Sequence, residues 1–325
     1  MQNTNPLSRR DFLKTSAGLG LAVGLQGASG LAATAEKPNR WTVAIRDGHL
    51  KMTGQPDCWS ALKFLGVPGI EVGVSEELAC YGLNPPGEPY SVATADGIKR
   101  LSDDVAGHGA KITALCMNNR LEERLDRELI WTRKLVPIAQ QLGVSAIRID
   151  VVPHKMAVAD YLPFAINACR QMCDIAEGTP VRFAIENHGH VTNDPVFLEK
   201  LFDGVHSHHL GLTLDTMNFY WFGHPLDEVY RIVEKFAAFA YHTHCKNLRY
   251  PVDQKNVRRA IGWEYDKYSA ALDEGDIDYR KITASLRKVN YQGDLCLENE
   301  CLHHFPKEQH PAVLKKELAL LQSLA

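Results

Sequence analysis

The chain alternates between short apolar runs and longer amphipathic segments. Eight apolar runs predict buried β-strands, and they cover residues 41–45, 69–74, 111–117, 145–152, 181–189, 210–218, 239–247 and 293–300. Between them, apolar residues recur at helical spacing, most clearly at residues 126–143, 162–177, 226–237 and 279–290. Glycine and proline punctuate the joins, so the pattern predicts strands and helices in alternation.

Each predicted strand except the last is followed by a helical segment. This order predicts a single (β/α)₈ TIM barrel of the α/β class. A doubly wound open sheet is the alternative, and it is disfavoured because no glycine-rich phosphate loop follows the first strand. Residues 248–275 form the longest stretch without a clear pattern. Because a loop of this length in a compact domain is usually functional, we expect it to serve the site.

The first 35 residues have a different character. Ser8-Arg9-Arg10-Asp11-Phe12-Leu13-Lys14 precedes a weakly apolar, glycine-rich run, and Ala33-Thr34-Ala35 offers a small-residue cleavage site. These features predict a twin-arginine signal peptide over residues 1–35 and a catalytic barrel domain over residues 36–325. The run is short and rich in glycine, which argues against a stable membrane anchor. We therefore expect the twin-arginine export machinery as a partner and a periplasmic location.

Charge and cysteine content narrow the functional classes further. The formal net charge is −3, with no basic block, which disfavours a general electrostatic grip on nucleic acid. The eight cysteines include no CxxC pair. We interpret most of them as small buried hydrophobic residues and leave a disulfide bond open.

The seventh predicted strand carries an unusual polar face. In YHTHCKN, residues 241–247, the side chains of His242, His244 and Lys246 alternate with their neighbours and therefore share one face. Polar groups on a buried strand are costly unless they bind something. The pattern therefore indicates a functional site on this face.

Ionisable residues also end three other predicted strands, as Glu186-Asn187-His188, Asp215 and Glu298. In a barrel, the carboxyl ends of the strands meet at one face, so we expect these residues to converge with His244. Glutamates and an aspartate gathered there would repel one another without a cation. Oxygen-rich ligation with one histidine favours a single Mn²⁺ ion, with Mg²⁺, Co²⁺ or Zn²⁺ as alternatives.

These motifs resemble those of the xylose isomerase-like barrel superfamily, the sugar phosphate isomerases and epimerases. The resemblance spans about residues 40–300 and is carried by Glu186-Asn187-His188, by Asp215 in LTLDTMNF, by His244-Cys245-Lys246 and by Glu298 after a Tyr-x-Gly sequence. It implies that Glu186, Asp215, His244 and Glu298 bind the metal. It also implies a small carbohydrate substrate, and it allows a homo-oligomer, since members are often dimers or tetramers.

The resemblance further implies that Glu186 and Glu298 form an acid/base pair on opposite sides of the substrate. Such a pair moves a proton next to a metal-polarised carbonyl, through an enediolate. The expected substrate contacts are His188, Lys246, Asn218, Arg249 and His154. Two positions depart from the ketose 3-epimerases, which have a histidine at the position of Asn218 and an arginine about one residue away from Arg249.

The sequence therefore predicts a metal-dependent isomerase or epimerase of a sugar or polyol. A lyase or dehydratase that performs β-elimination on a keto-sugar, inosose or 3-keto-glycoside is the alternative, with His154 as an additional base near neutral pH. A non-catalytic periplasmic sugar-binding protein is a third hypothesis. It is disfavoured because a binding protein does not need two opposed bases.

Overall fold

Eight parallel strands form the centre of the molecule. The computed structural model describes residues 41–325, so the signal peptide and the domain boundary after residue 35 lie outside the described part of the chain. The strands are β1 Thr42–Arg46, β2 Gly69–Gly73, β3 Lys111–Cys116, β4 Ala146–Ile149, β5 Arg182–Glu186, β6 Leu210–Asp215, β7 Ala240–His244 and β8 Asp294–Leu297. They lie in the order β8-β1-β2-β3-β4-β5-β6-β7.

The sheet closes between β7 and β8, just beyond the end of β7. The Cys245 N–H donates to the Cys296 carbonyl at 2.7 Å, and the Glu298 N–H donates to the Cys245 carbonyl at 3.1 Å. Closure removes the exposed edges that an open sheet would leave. The predicted TIM barrel is therefore confirmed.

Ten α-helices occur in the described part of the chain, and most of them connect one barrel strand to the next. They are α1 Cys58–Leu65, α2 Ala95–Gly107, α3 Leu121–Gln141, α4 Val158–Ala176, α5 Pro195–Val205, α6 Thr216–Trp221, α7 Leu226–Phe236, α8 Tyr265–Tyr268, α9 Tyr279–Lys288 and α10 His310–Leu324. Within residues 41–325, no helix is both long and apolar enough to cross a lipid bilayer.

Helix α7 shows how the amphipathic segments attach to the barrel. Its Val229, Ile232, Val233 and Phe236 are buried and recur at intervals that follow the helical period. Complete burial of each such side chain stabilises the fold by about 1.5–3 kcal/mol.

The long segment 248–275 is ordered by its own contacts. Asn247–Leu248 pairs antiparallel with Ser269–Ala270, and the Asn247 amide donates to the carbonyls of Leu272 and Ile277 at 2.9 and 3.0 Å. The Arg259 guanidinium lies over the Tyr220 and Tyr250 rings. The segment therefore packs on the barrel, although its sequence shows no regular period.

Helix α10 is tied to the barrel through one buried carboxyl group. Glu317 accepts hydrogen bonds from the Leu272 N–H at 2.9 Å and from the Asn299 amide at 2.6 Å. Its residue is only 1% exposed. Burial raises the pKa of Glu317 to about 7, even though both hydrogen bonds lower it.

We expect the Glu317→Gln variant to lose part of the pH dependence of stability. Since the folded pKa lies above the ordinary value of 4.5, the contribution of Glu317 to the free energy of unfolding is fully present below about pH 4.5. That contribution is lost as pH rises through about 7. At about 1.4 kcal/mol per pH unit, the free energy of unfolding of the variant should rise by about 3 kcal/mol relative to that of wild type over this pH range. Urea unfolding at several pH values measures the difference. The exposed Glu308→Gln change is the control, and parallel curves for wild type and Glu317→Gln would refute the expectation.

Candidate metal centre

Four side chains from four consecutive strands meet at the carboxyl-terminal mouth of the barrel. Glu186 and Asp215 end β5 and β6, His244 ends β7, and Glu298 directly follows β8. Parallel register places Asp215 opposite His244. All four are buried, and one ligand atom from each lies within 4.8 Å of the other three. The structure therefore brings together the four residues that the sequence predicts as ligands.

The imidazole of His244 is oriented by a carboxylate behind it. Nε2 lies 2.6 Å from Oε2 of Glu71 on β2, so it donates its proton there. Nδ1 faces Glu186 Oε1 at 3.3 Å and Glu298 Oε2 at 3.0 Å. Within the described chain this buried Nδ1 has no hydrogen-bond partner. An imidazole that donates backward to a carboxylate and presents its other nitrogen to acidic oxygens fits a metal ligand.

His242 lies one layer deeper, as the strand alternation predicts. Its Nδ1 is 2.8 Å from Asp294 Oδ1, and its Nε2 is 3.2 Å from Glu71 Oε2. Burial alone would lower the pKa of His242, but Asp294 and Glu71 raise it to about 9. The hydrogen bonds of the His242 side chain are with buried acids, and its ring also packs edge-on against that of His244.

Two arginines orient the outer glutamates. The Arg148 guanidinium on β4 binds Glu186 through Nε, at 2.7 Å, and through Nη2, while Nη1 lies 2.5 Å from Asp150. Arg46 at the end of β1 binds Glu298 Oε1. Burial raises the pKa of a carboxyl group, but Arg148 and His244 bring the pKa of Glu186 well below its usual value. His244, Lys246 and Arg46 do the same for the pKa of Glu298.

Sequence reasoning missed Arg46, Glu71 and Arg148. Glu71 and Arg148 are charged residues inside otherwise apolar strands, GIEVG and AIRI, and Arg46 ends the first strand. The same pattern drew attention to the seventh strand, so these residues were open to prediction by the same argument.

Lys246 lies among the acidic groups. Its Nζ is 2.9 Å from Asp215 Oδ2, 2.8 Å from Glu298 Oε2 and 3.0 Å from Glu300 Oε1. Burial raises the pKa of Asp215 to about 7, with further upward contributions from Glu186 and Glu298 that Lys246 partly opposes. The ammonium group therefore offsets part of the acidic charge at this point.

Asn218 also reaches the cluster. Its N–H donates to Asp215 Oδ1 at 2.9 Å at the start of α6, and its side-chain amide donates to Glu186 Oε1 at 3.2 Å. The neighbouring Asn187 holds Asp215 through backbone contacts on both sides, at 2.6 and 2.9 Å. Two amides thus orient the two carboxylates.

The other three predicted substrate residues lie further out. His188 is exposed at the rim, with Nδ1 3.4 Å from Asp150 Oδ1, and this hydrogen bond raises the pKa of His188. His154 is exposed in the loop after β4, where its N–H donates to Glu122. Arg249 is exposed and lines a cavity of about 310 Å³ with Lys267, Ser269 and His304. In residues 41–325, neither His154 nor Arg249 forms a hydrogen bond or ion pair with the four central residues.

The eight cysteines all lie in the described part of the chain, and each is buried and unpaired there. Cys296 lies beside Glu71, with Sγ 3.8 Å from Oε2. Burial raises the pKa of the Cys116 thiol to about 12. These cysteines therefore pack as small apolar residues.

A closed parallel barrel with buried carboxylates and an imidazole at its mouth places the chain among the TIM-barrel proteins. Comparison with protein families identifies the particular family: residues 59–324 match the xylose isomerase-like TIM barrel. The chain belongs to this family. Residues 6–25 match the twin-arginine translocation signal, which confirms the predicted signal and indicates export across the membrane.

Solved structures share the fold at low sequence identity. The IOLI protein, crystallised with a zinc atom, is 16% identical with a TM-score of 0.64, over 87% of this chain and 98% of that chain. The 3-keto-D-glucoside 4-epimerase YcjR from E. coli is 14% identical with a TM-score of 0.59, over 87% and 99%. The probable 3-DHS dehydratase AsbF from Bacillus anthracis is 15% identical with a TM-score of 0.59, over 86% and 98%. Comparison with curated protein sequences finds no match.

We expect Glu71→Leu to destabilise the metal-free protein by about 3–5 kcal/mol, because it removes the buried carboxylate that faces one ring nitrogen of His242 and one of His244. Urea unfolding in the presence of a chelator measures this change. Glu71→Gln retains an acceptor and should cost less. Asp103→Asn, which breaks the exposed Lys99–Asp103 pair, should cost under about 1 kcal/mol. Equal losses for Glu71→Leu and Asp103→Asn would show that the buried network does not stabilise the fold.

Proposed function

We propose that this protein is a divalent-metal-dependent isomerase or epimerase of a sugar or polyol. The observation that carries the proposal is the convergence of three buried carboxylates on the unbonded Nδ1 of His244. Glu186, Asp215, His244 and Glu298 would hold the ion, and the oxygen-rich set favours Mn²⁺, with Mg²⁺, Co²⁺ or Zn²⁺ as alternatives. When bound, the ion polarises a substrate carbonyl and lowers the cost of an adjacent enediolate.

Glu186 and Glu298 would act as the acid/base pair. Their side chains approach His244 Nδ1 from different strands, and each is held by a different arginine. Both have a lowered pKa and are therefore ionised near neutral pH, which a group that accepts a proton must be. Glu186 removes the proton next to the carbonyl, and Glu298 returns one on the opposite face, or the reverse.

Lys246 and Asn218 would bind substrate oxygens. The Lys246 ammonium lies among Asp215, Glu298 and Glu300, where it is placed to stabilise negative charge that develops on the substrate. The Asn218 amide holds Glu186 in position. His188 at the rim would contact a more distant part of the substrate.

A lyase or dehydratase acting on a keto-sugar, inosose or 3-keto-glycoside is the second candidate. The observation that favours it is the His188–Asp150 pair at the rim, because a histidine with a raised pKa is a proton donor for a leaving group. The resemblance to the fold of a probable dehydratase is compatible with it. His188 follows Glu186 by two residues and contacts Asp150, which binds Arg148, so His188 is a better placed acid than His154. Two opposed carboxylates argue against a non-catalytic sugar-binding protein.

The twin-arginine signal supports further parts of the proposal. We place the signal peptide at residues 1–35, the catalytic domain at residues 36–325 and the exported protein in the periplasm. The protein would cross the membrane already folded, which suits a buried metal site filled before export.

We expect the stripped protein to bind one Mn²⁺ per chain, and Asp215→Asn to lower its affinity by more than about tenfold, since even groups around the ligands contribute this much. Isothermal titration of Mn²⁺ into chelator-treated protein measures both quantities. Asp253→Asn in the exposed part of segment 248–275 is the matched control. Unchanged affinity in Asp215→Asn would exclude Asp215 as a ligand.

We expect Glu186→Gln and Glu298→Gln each to reduce turnover by about 10²–10⁴-fold, because each removes a group that transfers a proton. Incubating the Mn²⁺-loaded protein with keto-sugars, inososes and 3-keto-glycosides in D₂O reports proton abstraction as deuterium incorporation. Product analysis distinguishes an epimer or isomer from an elimination product. Glu199→Gln on the exposed face of α5 is the control.

Near-normal turnover in either active-site variant would contradict the two-base mechanism. Loss of deuterium incorporation in both variants, at Mn²⁺ concentrations that saturate each of them, would support it most strongly. An unsaturated product would assign the protein to the lyases.

A further inference from the structure

A second group of metal-binding residue types lies at the other end of the barrel. The segment His206-Ser207-His208-His209 directly precedes β6, and Glu177 directly follows α4. Asp215 ends β6, so its six residues separate His209 from the barrel mouth. At about 3.3 Å per residue this distance is about 20 Å. The group is therefore independent of the catalytic mouth.

His209 is buried, and its two ring nitrogens have different surroundings. It is 1% exposed, and its Nδ1 lies 2.7 Å from the Val181 carbonyl. A carbonyl only accepts, so Nδ1 carries the proton and Nε2 presents a lone pair. This buried Nε2 has no hydrogen-bond partner anywhere in residues 41–325. A buried polar atom in this state is costly unless a ligand completes it.

The lone pair of His209 points toward an acid. Nε2 lies 3.8 Å from Oε1 of Glu177, a side chain that is 62% exposed. Two acceptors face each other across this gap without a donor between them. A cation placed there would satisfy both atoms.

His208 supplies a third ligand atom. One nitrogen or oxygen atom each from Glu177, His208 and His209 lies within 4.8 Å of the others. The His208 and His209 rings have centroids 4.0 Å apart, and the His208 carbonyl accepts a hydrogen bond from the Tyr241 hydroxyl at 2.6 Å. The backbone is thus anchored, and the His208 side chain is exposed.

The geometry points to a second metal site, formed by Glu177, His208 and His209 and suited to Zn²⁺. Two imidazole nitrogens and one carboxylate oxygen are ligands that Zn²⁺ accepts, with water as a fourth. Ligand atoms at about 2.0–2.1 Å from a tetrahedral ion lie roughly 3.3 Å apart. The present 3.8 Å between His209 Nε2 and Glu177 Oε1 would have to shorten by about 0.5 Å to reach this spacing, through rotation of the exposed side chains. Imidazole also makes the site softer than the acidic mouth, which favours Zn²⁺ over Mn²⁺ or Mg²⁺.

Zinc at this site would tie the end of α4 to the start of β6. Glu177 lies in the loop between α4 and β5, and His209 lies in the next such loop, between α5 and β6; their facing atoms are 3.8 Å apart. An ion that binds only the folded chain stabilises it by mass action. The site would therefore act as a structural clamp, without a part in catalysis.

The test compares Zn²⁺ content in matched variants of the full-length mature protein. After chelator treatment and equilibrium dialysis against Zn²⁺, we expect Glu177→Gln/His208→Gln to hold one ion per chain fewer than wild type. Both side chains are exposed, so the double variant should fold. His206→Gln, a neighbouring exposed histidine outside the group, should match wild type. Asp215→Asn should weaken metal binding at the barrel mouth and leave Zn²⁺ binding at the Glu177, His208 and His209 site unchanged.

Nitrogen-15 NMR of histidine provides a direct readout. On addition of Zn²⁺, the Nε2 resonance of His209 should shift in wild type, in His206→Gln and in Asp215→Asn, and should stay unchanged in the double variant. Equal Zn²⁺ content in wild type and the double variant, or a His209 resonance that ignores Zn²⁺, would overturn the proposal. Because Asp215→Asn tests metal binding at the mouth separately, a failure of the second-site proposal can be distinguished from a failure of the proposed function.

Discussion

The barrel mouth depends on balancing acidic side chains that water cannot solvate. Glu71, Glu186, Asp215 and Glu298 are all buried, and isolated carboxylates in such a setting would cost several kcal/mol each. Arg46, Arg148, His244 and Lys246 approach them from the neighbouring strands and offset this cost. The rest of the site follows from this balance, because each functional group is held in place by an opposite charge.

The same charged residues connect the buried supporting groups with the groups that are proposed to react. Glu71 occupies one nitrogen of His244 and leaves the other facing the carboxylates. Arg148 links Glu186 to Asp150, which in turn contacts His188 at the rim. A residue deep in the barrel therefore orients the centre, and an arginine connects that centre with the group nearest solvent. The bottom of the barrel has a separate cluster, built from two loops and free of this network.

Several features were open to prediction because they follow from local pattern. The eight strands and their helices appear in the spacing of apolar residues, and the four central residues appear as ionisable residues at strand ends. Arg249 shows the limit of this reasoning. It follows β7 closely in sequence, but its N–H bonds to the carbonyl of Tyr268, a residue 19 positions further along the chain, at 2.8 Å. His154 is likewise drawn into a loop whose N–H groups bind Glu122.

The sequence by itself determined the alternation of strand and helix, the barrel that this alternation forms, and the residue types at each strand end. Only the tertiary structure decided which charges meet. Arg46 and Glu298 are separated by 252 positions and come together because the last strand, β8, pairs with the first, β1. His209 and Glu177 face each other because two loops end at the same edge. Such contacts depend on closure and register, which no local pattern of residues encodes.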